Sequence, residues 1–365
     1  MGVRITGVGI HPFGRFDGLT PTDMGVHAVR GALGEAGNPP FQAAFCGTAY
    51  GGVASGHKVL GALALTGVPI VDVEAGCASG GAALQLAAGA IRAGQYDCAL
   101  VFGVEKMPKG IIRSSFFEPW REEGGLAATP AYFALRAQRL MREAGLTKHH
   151  LAEVVVKNRR NGVQNPNAMF RKAVSVDEVL ASRVVCEPLH LWMLCSPNEG
   201  AAALVLQRGD GGVQLAAARL RSHLPGSVLG EATPLSGIDD HDITPPSTLA
   251  ARDAYTEAGV GPNDLDVVEC QDTDAARELL AYQELELCAP GDQAKWFAQP
   301  RTVVNPSGGL LSKGEPLGAS ALGQVVEIVH QLRGEAGPRQ VDNARVGLAH
   351  TVGRGANAAC IIVTR

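Results

Sequence analysis

Hydrophobic and polar positions along the chain repeat one order of segments: an apolar run, a turn of small residues, a helix and a second apolar run. In the first half these segments are residues 69–73, 74–81, a helix that ends near Arg92, and 98–104. In the second half they are residues 302–305, 306–318, an amphipathic helix that ends near Arg333, and 345–349 with 357–363. Apolar strands that alternate with helices predict an α/β fold in which helices cover both faces of a buried sheet. The recurrence indicates two related halves, residues 1–210 and 211–365.

The segment 106–195 interrupts this order and is predicted to be an inserted loop region of the first half. It contains two helical segments, residues 131–144 and 177–183. From Lys106 to His190 it carries 14 Lys or Arg against 8 Asp or Glu, whereas the whole chain has 32 against 36. This local excess of positive charge fits an anion-binding site, and an ordinary solvated helical face fits it equally well.

The composition is that of a chain with a large core, since 46% of its 365 residues are hydrophobic and 19% are charged. These values exclude a disordered chain, and the net charge of -4 argues against a general nucleic-acid surface. The longest uncharged run, residues 75–91, contains glycine and polar residues and therefore favours a buried helix over a membrane span. The eight cysteines show no C-x-x-C spacing, which predicts a reduced, cytoplasmic protein without a bound metal.

Cys77 is the first candidate for chemistry, because it follows an apolar run and opens a predicted helix. The first turn of a helix has unpaired backbone N–H groups and the positive end of the helix dipole, which favour a thiolate and can hold an oxyanion. The neighbouring glycine and alanine residues leave space for a substrate carbonyl group. The alternative is a buried, unreactive cysteine.

Glu315 occupies the corresponding turn of the second half, just before the second predicted helix. If a pseudo-twofold axis relates the halves, this carboxylate faces Cys77. It then acts as a general base, or it only caps its own helix.

Four segments, which are spread in order from residue 73 to residue 365, carry long motifs. They are residues 73–107, which include VEAGCASGG, 195–206, CSPNEGAAALVL, 304–337, which include VNPSGG and GEPLGAS, and 347–365, which begin GLAHTVGRG. These motifs resemble the thiolase superfamily, and in particular its sterol-carrier-protein or lipid-transfer-protein branch. The resemblance implies two duplicated β/α halves in a five-layer αβαβα arrangement, an inserted loop domain that helps to bind coenzyme A, and a homodimer. It also implies that Cys77 is the nucleophile that becomes acylated, with coenzyme A as a substrate and no permanently bound cofactor.

Two catalytic loops differ from the pattern of that family. Where the family has Gly-His-Pro, this chain has Glu315 between Gly314 and Pro316. An imidazole titrates near neutrality and suits the activation of a thiol better than a carboxyl group, which ordinarily titrates near pH 4. Where the branch has His-Asp-Cys-Phe, this chain has the sequence Gln-Asp-Thr-Asp at 271–274.

In the second of these loops, this chain lacks the family's usual residues for two functions. These functions are a hydrogen bond to the oxyanion and a second acid–base group. The amide of Gln271 could still donate to an oxyanion, but Thr273 is too weak an acid to replace a cysteine. Cys270 could replace it only if the loop is rearranged, and a buried strand cysteine is the alternative. In the C-terminal glycine-rich loop, His350 is a candidate for the pocket, and Gly353 and Gly355 are candidates for substrate binding.

These observations support three hypotheses of function. The first is a thiolase-like acyltransferase that cleaves or forms a C–C bond of a 3-oxoacyl-CoA through an acyl-Cys77, with a bulky, branched or aromatic acyl group. The second is a retro-aldol lyase that acts on a 3-hydroxyacyl-CoA together with a partner protein that has a zinc ribbon and an OB-fold. The third is a degenerate subunit that only binds acyl-CoA.

Overall fold

The computed structural model of the chain describes residues 2–110, 119–124, 129–225, 243–353 and 357–365. The strands in these residues are β1 (Val3–Gly14), β2 (Ala43–Gly47), β3 (Ile70–Val73), β4 (Cys98–Lys106), β5 (Val184–Cys186), β6 (Leu189–His190), β7 (Glu199–Arg208), β8 (Gln214–Arg221), β9 (Val267–Cys270), β10 (Val303–Val304), β11 (Val346–Gly353) and β12 (Asn357–Thr364). The α-helices are α1 (Pro21–Glu35), α2 (Ser55–Ala62), α3 (Ser79–Arg92), α4 (Pro119–Glu123), α5 (Thr129–Ala144), α6 (Lys148–Val163), α7 (Val176–Ala181), α8 (Pro246–Ala258), α9 (Ala275–Glu284), α10 (Gln293–Ala298), α11 (Gly309–Lys313) and α12 (Leu317–Arg333).

Ten of the strands form one sheet in the order β10-β9-β11-β12-β8-β1-β7-β4-β2-β3. Each half of the chain supplies five neighbouring strands, and the halves meet where β1 pairs with β8 through Arg4 and Gln214. In each half, three strands run parallel to one another at the outer end, as the strand–helix–strand order of the sequence requires. The sheet therefore shows the same organisation twice.

Helices cover the strands in layers, because inner strands such as β4, β7 and β12 bury apolar side chains on both faces. The central layer contains α3 and α12, whose buried Leu84 and Leu322 pack with strand residues of both halves. Helices α1 and α2 cover the other face of the first half. Helices α5, α6, α8 and α9 cover the other face of the second half. The predicted α/β architecture with layers of helices and strands is confirmed.

The predicted repeat is present, with differences in its turns. The small-residue segment 306–318 includes the short helix α11, and the strand predicted at 302–305 has only two paired residues. The segment 106–195 is largely helical where it is described, and it includes the unpredicted helix α6. This segment packs on the outer face of the second half, for example through Leu151 and Val155. Among the described residues, no helix has the length and apolar character that a membrane crossing needs.

Candidate active site

A cavity of about 820 Å³ lies where the segment 106–195 meets both halves of the sheet. Cys77, Cys195 and Glu315 all line it. Apolar side chains form much of the remaining wall, and they include Phe133, Met169, Phe170, Leu191, Trp192 and Leu317. Among the described residues, five cationic side chains also line it, namely Arg15, Arg159, Arg171, Lys172 and Arg183. A cavity of this size with few converging polar groups is typical of a small-molecule site.

Cys77 lies in a short 3-10 helix, Gly76–Ala78, which connects the end of β3 to the start of α3. The hydroxyl group of the buried Ser79 donates to the Gly76 carbonyl (2.6 Å) and accepts from the Ala75 N–H (2.9 Å). These two bonds fix the turn. The Cys77 side chain is 5% exposed and packs with Met107 and Leu317. The predicted strand–turn–helix setting of this cysteine is therefore present.

Gly353 supports this turn from behind. It ends β11, and a Cβ atom at this position would lie 2.0 Å from the Ala75 carbonyl oxygen and 3.0 Å from the Ala78 nitrogen. Only a residue without a side chain permits this approach of β11 to the turn of Cys77. The structure thus places Gly353 behind the candidate nucleophile, whereas Gly355 lies outside the described residues.

The loop before α12 holds the Glu315 main chain against the segment that follows Cys195. Gly314 has a φ of +85°, and a Cβ atom there would overlap the Asn198 side chain. The Glu315 N–H donates to the Ser196 carbonyl oxygen at 2.9 Å. Glycine is required before Glu315 because of both the backbone conformation and this contact.

The Glu315 side chain is 4% exposed, and both of its carboxylate oxygens accept a hydrogen bond. Gln271 Nε2 donates to Oε1 at 2.8 Å, and the Cys195 thiol donates to Oε2 at 3.3 Å. Pro316 is the N-cap residue of α12, and the described residues include no side-chain hydrogen bond that caps this helix. Of the two roles considered for Glu315, helix capping is therefore excluded, and its side chain is directed into the site.

Gln271 has a different position from the one expected of an oxyanion donor. It is 1% exposed, and it is not among the described residues that line the cavity. Its amide nitrogen donates to Glu315, and its amide oxygen accepts from the Val352 N–H at 2.7 Å. In this structure Gln271 fixes the orientation of the Glu315 carboxylate.

His350 does not reach the cavity, contrary to the expectation. It is fully buried, and its Nε2 lies 2.9 Å from Ser247 Oγ. Burial, and then the positive charge of Arg277, lower the pKa of His350 to about 3, so that it is neutral near pH 7. Side chains alternate along a strand, and His350 faces the outer helices while Ala349 and Thr351 face the central layer.

The loop at 271–274 is buried and has a structural role. Asp272 accepts the N–H groups of Leu310 and Leu311, at 2.6 and 3.1 Å, and so caps α11. Cys270 is 1% exposed, and burial raises the pKa of its thiol well above the usual value. It is the buried strand cysteine that the alternative interpretation described.

Cys195 is the site residue that the sequence reasoning missed. It lies in the segment between β6 and β7, and its Sγ contacts Glu315, which is 120 positions away in the chain. Two residues that are so far apart in the chain leave no local sequence pattern that would indicate their contact. The motif CSPNEGAAALVL, which begins at Cys195, is the sequence feature that could have indicated a role for this residue.

Comparisons with known proteins identify the family of this chain. Family models match the thiolase N-terminal domain over residues 3–210 and a domain like the thiolase C-terminal domain over residues 233–365. This chain belongs to the thiolase family. Its relatives include sterol carrier protein 2 of Bos taurus, at 34% identity over 97% of this chain and 70% of that protein. An acetyl-CoA acetyltransferase of Methanothermobacter thermautotrophicus is 35% identical over 100% of this chain and 99% of that protein.

A third relative of this thiolase family member is the benzoylsuccinyl-CoA thiolase subunit BbsB of Thauera aromatica, at 35% identity over 98% of this chain and 96% of that protein. Two solved structures share the fold. The Ltp2-ChsH2(DUF35) aldolase matches with a TM-score of 0.85 and 23% identity over 100% of this chain and 97% of that one. The Acat5 thiolase of Ascaris suum, solved with coenzyme A, matches with a TM-score of 0.74 and 18% identity over 100% of both chains.

Proposed function

We propose that this protein transfers an acyl group between Cys77 and coenzyme A, and that it cleaves or forms a C–C bond of a 3-oxoacyl-CoA in doing so. The supporting observation is the shared cavity, in which Cys77 and the oriented carboxylate of Glu315 face one substrate space. Family membership gives the general chemistry, and the residues named here are our assignment for this chain.

In the direction of cleavage, Glu315 accepts the proton of Cys77, and the resulting thiolate attacks the ketone carbon of the substrate. The C–C bond then breaks, and the shorter acyl-CoA leaves after its carbanion has gained a proton. The thiol of a new coenzyme A molecule gives its proton to Glu315 and attacks the acyl-Cys77 thioester. The Cys77 thiolate leaves and takes the proton back from Glu315 as the product is released. Near pH 7 the neutral His350 has no part in these proton transfers.

The cationic side chains of the cavity are suited to the phosphate groups of coenzyme A. Arg171, Lys172 and Arg183 are exposed, and Arg159 stacks on the Phe170 ring at 4.0 Å. Burial lowers the pKa of Arg159 to about 10, which leaves it charged at neutral pH. We assign the phosphate contacts to these four residues of the basic segment.

The apolar wall favours a bulky, branched or aromatic acyl group. Phe133, Phe170 and Trp192 present aromatic surface to the same cavity that contains Cys77. The relative from Thauera aromatica carries benzoylsuccinyl-CoA in its name, which supports an aromatic substrate for this chain as well. We also propose that the protein is a cytoplasmic homodimer, with the edge strand β3 as the contact, since Val71 on this strand is 42% exposed.

A retro-aldol lyase that acts on a 3-hydroxyacyl-CoA is the second candidate. It is favoured by a carboxylate base in a cavity that no histidine lines among the described residues. This reaction requires a base for the hydroxyl group and no acyl-cysteine. The solved Ltp2-ChsH2(DUF35) aldolase, which pairs two proteins, has the same fold. In this candidate the protein needs a partner with a zinc ribbon and an OB-fold.

Intact-protein mass spectrometry tests the proposal. The wild type is incubated with acetyl-CoA, benzoyl-CoA and phenylacetyl-CoA beside Cys77→Ala and Cys288→Ala, the latter a control outside the cavity. We expect an acyl adduct in the wild type and in Cys288→Ala, and none in Cys77→Ala. No adduct, together with cleavage of a 3-hydroxyacyl-CoA, would support the lyase. Binding of coenzyme A without either reaction would indicate a binding subunit.

A further inference from the structure

Cys195 is held at a fixed position relative to Glu315 by backbone contacts on both sides. Its N–H donates to the Thr273 carbonyl oxygen at 2.9 Å, and the preceding Leu194 forms an isolated antiparallel β-bridge with Asp274. On the other side, the Ser196 carbonyl accepts the N–H of Glu315 at 2.9 Å. The Cys195 side chain is therefore tied to the loop of Glu315 by the main chain and not by the thiol alone.

The Cys195 thiol contacts one of the two groups already assigned to the reaction and shares a cavity with the other. It donates to Glu315 Oε2 at 3.3 Å, while Gln271 occupies the other carboxylate oxygen. It lines the same cavity as Cys77 and interacts with it electrostatically. The thiol therefore donates to a carboxylate, Glu315, that Gln271 holds in a fixed orientation. This arrangement indicates more than a packing role for Cys195.

The electrostatics of the thiol change when Glu315 becomes protonated. Burial, and next the negative charge of Glu315, raise the pKa of Cys195 well above its usual value. The thiol therefore keeps its proton while Glu315 is ionised. Once Glu315 has gained the proton of Cys77, that charge is gone, and the thiol becomes a readier proton donor.

We propose that Cys195 is a catalytic proton donor, which protonates the carbanion formed by C–C cleavage and regains a proton from Glu315. The inference rests on the proposed function and names the residue that completes it. Glu315 first takes the proton of Cys77. When the C–C bond breaks, its electron pair stays on C2 of the leaving acyl-CoA, and Cys195 gives its proton to C2. The Cys195 thiolate then takes the proton from Glu315, and the charges and protons balance.

Hydrogen exchange at C2 tests this step in the reverse direction. Acetyl-CoA and propionyl-CoA are incubated with the enzyme in D2O, and deuterium at C2 is measured by mass spectrometry. Cys195→Ser retains a donor for Glu315 but is a far weaker acid, and Cys288→Ser is the matched control. We expect the wild type and Cys288→Ser to exchange, and Cys195→Ser to be slower by about a hundredfold or more. Acylation of Cys77 by acetyl-CoA, measured in the same samples, should persist in Cys195→Ser.

The outcomes separate the two proposals. Exchange in Cys195→Ser within threefold of the wild type would show that the thiol only positions Glu315, and would overturn the inference. Absence of exchange in the wild type would overturn it as well. Exchange that depends on Cys195 without any adduct on Cys77 would uphold the inference and reject acyl transfer through Cys77.

Discussion

Glu315 is a carboxylate at the position of the imidazole in the Gly-His-Pro motif that this chain resembles. An imidazole can donate and accept, whereas an ionised carboxylate only accepts. The surroundings supply the missing donors, since Gln271 and Cys195 each give a hydrogen bond to one oxygen. In the proposed mechanism the substitution therefore changes the proton path, and the neighbouring Cys195 thiol provides the proton that the carboxylate lacks.

We predict that Glu315→Gln reduces turnover by at least about a hundredfold, the usual scale of an acid–base group. Glutamine keeps the size of the side chain and an oxygen that can accept from Gln271, so binding of coenzyme A should stay within threefold of the wild type. Steady-state kinetics and calorimetric titration with coenzyme A measure the two effects. Glu327→Gln is the matched control, because Glu327 lies on α12, which begins two residues after Glu315, and pairs with Arg339 away from the cavity. Full activity of Glu315→Gln would remove Glu315 from the mechanism.

The sequence predicts those helices and strands whose formation depends on local patterns of apolar residues. Strand β3, helix α3, strand β4 and helix α12 have the expected places, because their apolar positions follow one period within each segment. Helix α11 has no such pattern. Its first N–H groups are capped by Asp272, which is 38 positions away, so its formation depends on the tertiary structure.

The residues of the candidate site divide in the same way. Some are predicted by a local pattern, and others depend on the tertiary structure. Cys77 and Glu315 are predictable because each lies in a motif at the start of a helix. The face of β11 on which His350 lies depends on the strand register, which the motif does not specify. The link between Cys195 and Glu315 depends on two distant loops, and only the three-dimensional structure shows it.

The packing of β11 behind the Cys77 turn yields a prediction for Gly353→Ala. The added Cβ would meet the Ala75 carbonyl oxygen at 2.0 Å, so the strand or the turn must move. We expect a loss of about 1–3 kcal/mol in the free energy of unfolding, as for other overpacked sites, and a tenfold or greater loss in the rate of Cys77 acylation. Urea unfolding and time-resolved mass spectrometry measure these effects.

Gly89→Ala is the matched control for this substitution. Among the described residues, a Cβ atom at position 89 has no neighbour within 4 Å, and alanine favours a helix, so stability should rise slightly. An acylation rate of Gly353→Ala equal to that of the wild type would contradict the role of this packing.

At the scale of the whole molecule, the site depends on how the two halves are held together. Glu105 on β4 of the first half accepts the N–H groups of Ala49 at 2.8 Å and Tyr50 at 3.0 Å. Its Oε2 also accepts the N–H of Gly318 at 3.2 Å, in the first turn of α12 from the second half. This fully buried carboxyl group therefore links the two halves. Its contact in the second half, Gly318, lies three residues after Glu315 in the chain.

Burial raises the pKa of Glu105 from its usual 4.5 to about 7, despite the N–H groups that it accepts. Between these values the folded chain keeps the proton and the unfolded chain loses it, so ionisation makes folding less favourable as the pH rises. We predict that the free energy of unfolding of the wild type, relative to Glu105→Gln, falls by up to about 3 kcal/mol from pH 4.5 to 7. Urea unfolding at several pH values measures this difference, with Asp97→Asn as an exposed control. A difference that does not vary with pH would mean that Glu105 is already ionised below this range, and that its three N–H partners outweigh its burial.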